Sequence, residues 1–195
     1  MENKFDISLY DDEFFAWHAE HVHIPMFETG KDYFQYYSPN SFVDFGCGIG
    51  SYLLAAQIMG VARIQGYEIG GDHAVKYTDP RVTDFIDFNT DITISLDVEK
   101  YDHSFCIEVA EHIEPSGSEQ LIKNITDATE NMAVFTAAPK EQDGCGHINT
   151  HSKIYWINLF EKYGMKYSEW GVTKLKLLWE TAPDYVLKNL MVFTR

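Results

Sequence analysis

Short apolar runs recur along the chain, each closed by a carboxylate, a glycine or a proline, with stretches of helical spacing between them. Five runs read as strands: Ser41 to Phe45, Arg63 to Tyr67, Val82 to Ile86, Ser104 to Ile107 and Met132 to Ala137. Leu53, Leu54, Ile58 and Met59 repeat at helical spacing and end at Gly60. Asp72 to Tyr77 reads as a short helix closed by Asp79-Pro80. Leu121, Ile122, Ile125 and Ala128 mark another, with Ser116 and Glu119 as its capping box. A further helix runs from Ser152 to Gly164. Upstream, Asp11 and Asp12 cap a helix over Glu13 to His23 that Pro25 stops, and a second covers Lys31 to Tyr37. Lys166 to Leu178 and Leu190 to Thr194 read as a terminal pair of strands.

Strands alternating with helices imply a doubly wound α/β fold, a largely parallel sheet with helices on both faces. Residues 1–40 read as an N-terminal helical cap segment and residues 41–195 as the main domain. Ligands of such sheets bind outside the carboxyl ends of the strands. Asp44 to Gly50, Glu68, the stretch from Asp87 to Asp91, Glu108 and the loop from Ala138 to His147 are therefore expected around one crevice.

Charge narrows the partners. The net charge is −15, and it is uneven: residues 1–150 carry 8 basic and 26 acidic side chains, residues 151–195 carry 7 and 4. An acidic body repels phosphate backbones, which disfavours long nucleic acid. Cys47, Cys106 and Cys145 form no CxxC pair and suggest neither a disulfide framework nor a zinc ribbon. The segment from Met1 to Asp6 lacks the basic and apolar regions of a signal peptide, and no stretch reaches the length of a membrane span. A cytoplasmic protein is the expectation.

The candidate chemistry starts at Val43-Asp44-Phe45-Gly46-Cys47-Gly48-Ile49-Gly50. An apolar strand ends in an acid and runs through three alternate glycines into a helix, an arrangement that lets backbone approach a nucleotide-like ligand. In a dinucleotide turn the third glycine would fall at Ser51, which disfavours a nicotinamide dehydrogenase. Glu68 follows Gly46 by 22 residues and can accept from both hydroxyls of a ribose. This combination, with Glu108-Val109-Ala110-Glu111-His112 after the fourth strand, resembles class I S-adenosylmethionine (SAM)-dependent methyltransferases over roughly residues 42–160.

The resemblance implies a Rossmann-like sheet of seven strands, the last antiparallel. It implies SAM as cofactor, with Asp44, Gly46, Cys47, Gly48 and Gly50 at the turn, Glu68 on the ribose, Asp91 on the adenine amine and Glu108 beside the amino-acid part. Asp87 competes with Asp91. Methyl transfer goes to an oxygen or nitrogen of a small molecule. His147, on the loop after the fifth strand, is a candidate general base, and Glu111 and His112 line the site. In two subgroups of the family a similar Glu-x-x-Glu-His run binds a divalent metal, so Glu108, Glu111, His112 and His147 form a rival, metal-assisted site. A non-catalytic SAM-binding subunit is the other rival. His18, His21, His23 and His151 are assigned surface or helix positions only, and the aromatics from Tyr10 to Tyr37 read as packing, with a lid over the cofactor that selects the substrate as the alternative.

Overall fold

The computed structural model describes residues 6–195. Residues 1–5, which the signal-peptide reading draws on, lie outside them. The seven strands form one sheet: β1 (Ser41–Phe45), β2 (Arg63–Glu68), β3 (Ile86–Phe88), β4 (Tyr101–Cys106), β5 (Thr129–Phe135), β6 (Lys166–Tyr167) and β7 (Met191–Thr194). Their spatial order is β3-β2-β1-β4-β5-β7-β6. The neighbours from β3 to β5 pair in parallel, while β7 runs antiparallel to both β5 and β6. The strand order therefore reverses between β1 and β4, which places a crevice beyond their carboxyl ends.

Side-chain alternation along the strands builds two cores. Phe42, Phe105, Val134 and Val192 pack on one face, under α2 (His23–Tyr37), α3 (Ser51–Ile58) and α7 (Glu169–Leu178). Val43, Phe45, Phe135 and Phe193 pack on the other, under α5 (Ser118–Ala128) and α6 (Lys153–Lys162). A buried phenylalanine contributes roughly 1.5–3 kcal/mol, so a one-residue slip of a strand would forfeit several such contributions at once. Among the described residues, no helix is long and apolar enough to cross a membrane.

Several expectations need correction. Pro25 does not stop a helix. α1 (Asp12–His21), capped by the Asp11 carboxylate on the N–H groups of Glu13 and Phe14, ends before it, and Pro25 sits in the first turn of α2, where its missing N–H costs no helical bond. The stretch expected as the third strand is a 3-10 turn at Thr83–Phe85, and β3 begins at Ile86. Ser116 lies inside a 3-10 turn, Pro115–Gly117, and caps nothing; Glu119 instead meets Lys162 and Tyr163. Only Lys166 and Tyr167 of the expected 166–178 strand are extended. Ser168 accepts the Gly171 N–H as a cap, and Val172 and Leu175 then point inward at helical spacing in α7. The short helices α4 (Gly71–Val75) and α8 (Asp184–Asn189) complete the fold.

Candidate active site

At the carboxyl ends of β1, β2 and β4 lies a cavity of about 670 Å³. Its floor at one end is the glycine turn. The N–H groups of Gly46 and Cys47 both donate to the Tyr67 carbonyl, at 2.8 and 3.1 Å, which ties the turn to β2. Gly46, Gly48 and Gly50 all have positive φ, where a side chain is strained. They differ in what a Cβ would meet. At Gly46 it would lie 2.6 Å from Val109, and at Gly50 2.9 Å from Ile86. At Gly48 nothing comes nearer than His18, at 3.8 Å. Two glycines are thus needed for packing, whereas Gly48 keeps free space.

Glu68 closes this end. One oxygen accepts the Gly48 N–H at 2.7 Å, and the other accepts those of Ile69 and Gly70 at 3.0 and 2.8 Å. Burial raises its pKa, and these three bonds pull the other way. Asp44 lies buried beside it, and burial, then the Glu68 charge, hold its pKa well above the carboxylate range. Asp91 lines the cavity and accepts the N–H and hydroxyl of Thr93 on a single oxygen, at 2.8 and 2.6 Å. Asp87 is exposed and does not line it. Cys47 is buried at the wall, and burial pushes its thiol up.

The other end is built by the run after β4 and the loop after β5. Glu108 has φ +54, a conformation that costs a non-glycine residue about 1–3 kcal/mol. Its N–H donates to the Thr136 hydroxyl at 2.7 Å and its carboxylate accepts from Asn189 at 3.0 Å. Glu111 is fully buried. One of its oxygens accepts the Ala138 N–H at 3.1 Å, and the other has no hydrogen-bond partner among the described residues. Burial, then the Glu108 charge, hold its pKa well above the usual range. Its carbonyl accepts from Ile148 and Asn149, both at 2.9 Å, and this docks the 144–149 loop.

That loop brings His147 to His112, with ring centroids 4.9 Å apart. Burial, then His147, lower the pKa of His112 to about 4. Nδ1 of His147 lies 3.0 Å from the Gln142 carbonyl. A carbonyl only accepts, so Nδ1 carries the proton and Nε2 is the basic nitrogen. A Cβ on Gly144 would fall 2.3 Å from this imidazole, so glycine there makes room for it. Ligand atoms of Glu111, His112 and His147 lie within 4.8 Å of one another. Glu108 is outside that triad.

The site residues read from the sequence thus converge on one cavity, except Gly50, which supports the turn from behind. The roof follows the lid alternative for the N-terminal aromatics in part rather than the packing that the sequence favours. Tyr10, Phe14, Trp17 and His18 line the cavity, while Tyr33 and Phe34 pack beneath the sheet. The reading of His18 as a mere helix position is therefore corrected, and the Phe14-to-His18 interval of one helical turn was the available signal. His23 is likewise engaged, with Nδ1 2.8 Å from the Ser51 hydroxyl. Asn189 and Thr136, far along the chain, offered no signal.

No protein-family model matches the sequence, and no curated protein matches it. Solved structures do. The fold is similar to that of SAM-bound CalS10, an amino pentose methyltransferase from Micromonospora echinaspora, at 11% identity, TM-score 0.64, covering 92% of this chain and 94% of that one. It is also similar to magnesium protoporphyrin IX methyltransferase from Synechocystis PCC 6803 with bound SAH, at 15% identity, TM-score 0.62, covering 88% and 84%. A sugar N-methyltransferase from Streptoalloteichus sp ATCC 53650 matches at 10% identity, TM-score 0.61, covering 93% and 87%. With its strand order and its single antiparallel strand, the chain has the fold of the class I SAM-dependent methyltransferases.

Proposed function

We propose that this chain is a SAM-dependent methyltransferase acting on an oxygen or nitrogen nucleophile of a small molecule. The observation that carries the reading is the glycine turn clasped by Glu68, with the open side of Gly48 facing an acid-lined cavity. The residues fit SAM. A sulfonium ligand with an ammonium group meets the carboxyl groups of Asp44, Glu68 and Glu108, and its positive charge favours their ionised form. The volume falls within the roughly 300–1,000 Å³ of small-molecule sites. The neighbours that hold SAM or SAH share this fold.

In this reading the Glu68 oxygen that holds only the Gly48 N–H accepts from a ribose hydroxyl, and the second oxygen of Asp91 accepts from the adenine amine. Glu108, oriented by Asn189, faces the amino-acid end. Bound there, SAM supplies an electrophilic methyl group on a positive sulfur. The protein's own work is to align the acceptor and remove its proton. Nε2 of His147 takes that proton, while Glu111 and His112 shape the acceptor pocket. Of the segment 1–40, the described residues 6–40 cap the domain 41–195, and Tyr10, Phe14 and Trp17 exclude water.

Mass spectrometry of the purified protein for carried-over SAM or SAH, followed by calorimetry with SAM and NAD, tests the cofactor. NAD binding without SAM binding would sink the proposal. A screen of small-molecule methyl acceptors tests the enzyme, and SAM binding with no transfer to any of them would select a non-catalytic subunit.

The Glu111, His112 and His147 triad favours a second reading. A carboxylate and two imidazoles form a donor set for a divalent metal, and a neutral His112 is ready to ligate. In that version the metal orients the acceptor. Activity lost to a chelator and restored by added metal would select it, and activity indifferent to chelation would exclude it.

A further inference from the structure

Seven acidic residues line the cavity: Asp44, Glu68, Asp91, Glu108, Glu111, Glu114 and Asp143. Among the described residues, no lysine or arginine does. SAM carries one carboxylate besides its two cationic centres. Surrounded by acids and withdrawn from water, that carboxylate needs a donor of its own.

The glycine turn cannot supply it from most of its backbone. The N–H groups of Gly46 and Cys47 are held by the Tyr67 carbonyl, that of Gly48 by Glu68, and that of Gly50 by the Cys47 carbonyl. The first N–H groups of α3 carry no side-chain cap and remain for a ligand, and a side chain can add a further donor. Three histidines line the cavity, and two of them, His112 and His147, lie together at the far end. The third, His18, stands over the turn. The Cε1–Nδ1 edge of its ring faces Gly48, where a Cβ would lie 3.8 Å from Cε1 and 4.0 Å from Nδ1. Nδ1 is buried and has no hydrogen-bond partner among the described residues. Buried polar atoms are rarely left unpaired, and one at a cavity wall is a place for a ligand atom. The ring is fixed by its neighbours Phe14 and Trp17, at centroid distances of 5.5 and 6.4 Å.

We propose that His18 binds the carboxylate of SAM through Nδ1–H, in a cavity where no lysine or arginine among the described residues could do so. The inference rests on the cofactor reading above. Burial, then His23, lower the pKa of His18 to about 4 in the ligand-free protein, so the ring is neutral there and presents a single N–H. A carboxylate alongside favours the doubly protonated ring and strengthens the bond.

The test is calorimetry with SAH and with its carboxamide, in which an amide replaces the carboxylate. Wild-type protein is expected to prefer SAH by roughly tenfold to a hundredfold, the usual range for a hydrogen bond to a charged group. His18→Phe is expected to bind both ligands with the same weakened affinity. Two polar variants keep the test decisive if His18→Phe does not fold. His18→Asn holds an amide near the Nδ1 position and should retain part of the preference. His18→Gln displaces the donor and should lose it. A wild-type preference that survives in His18→Phe or His18→Gln overturns the assignment of His18 and leaves the cofactor reading standing. Failure of wild-type protein to bind either ligand overturns both.

Discussion

The two ends of the cavity treat a buried acid in opposite ways. At the β1–β2 end, both oxygens of Glu68 are engaged by three backbone N–H groups, which leaves one acceptor site for a ligand. At the β4–β5 end, Glu111 is as deeply buried, yet one oxygen is bare of partners among the described residues, and Glu108 beside it sits at positive φ. At the first end the backbone already holds the acid, which suits recognition of a fixed group, and the open polar atom there is Nδ1 of His18 rather than a carboxylate oxygen. The second is held under strain and short of a partner, as suits a place where a proton, a metal or a reacting group must come and go. Substitutions at the two ends should therefore separate binding from turnover.

The largest effect belongs to the unfinished end. His147→Ala should lower turnover by about 10²–10⁴-fold, as loss of a general base does, with SAH affinity unchanged by calorimetry. Equal losses in turnover and in SAH affinity would erase the distinction between the ends. Loss of bound metal in the same variant would convert the base into a ligand. At the finished end, Gly48→Val should weaken SAH binding about a hundredfold or more, since the new side chain occupies ligand space. A Cβ there meets nothing nearer than 3.8 Å, and the strain of a side chain at φ +56 is read separately as a fall in Tm. Retained binding in a folded Gly48→Val protein would remove the cofactor from the turn.

The finished end is also the one that was legible in the sequence. A strand, three alternate glycines and a second acidic strand end are local signals, and local chemistry fixes their geometry. Glu108 to His112 was legible for the same reason. The rest of the site depends on contacts between distant segments: Asn189 reaches Glu108 from the penultimate element, and the Glu111 carbonyl receives Ile148 and Asn149. His18 was misread because an aromatic stripe looks alike whether it packs on a core or roofs a cavity. The fold followed the same division. The buried central strands β1 and β2 were placed to within a residue. The C-terminal segment failed where a local cap at Ser168 and the inward spacing of Val172 and Leu175 outweighed a β-rich composition.

A smaller effect sharpens the contrast at Glu68. Glu68→Ala should cost about 1–3 kcal/mol of SAM affinity, the usual penalty for polar groups left unpaired. It also frees the N–H groups of Gly48, Ile69 and Gly70, so the turn should loosen and their amide exchange should quicken. Unchanged affinity together with unchanged exchange would show that this acid secures neither the ligand nor the turn.

The smallest effect reads the state of Glu111 directly. Burial, then the Glu108 charge, raise its folded pKa above the ordinary 4.5. The folded protein keeps this proton at pH values where the unfolded chain has released it. The unfolded state then binds fewer protons, and stability from this group, complete below pH 4.5, is lost as pH rises toward the folded pKa. Glu111→Gln cannot titrate. It pays a constant cost for its own unpaired amide, which does not change with pH. Melting curves of both proteins in chelator, from pH 4.5 upward, should show the Tm difference moving steadily in favour of Glu111→Gln, by about 2–4 °C for each kcal/mol. Asp44 and Glu68 titrate alike in both proteins and cancel. Parallel pH profiles would mean that Glu111 is ionised in the folded state and already compensated, and the two ends of the cavity would then differ in geometry but not in charge.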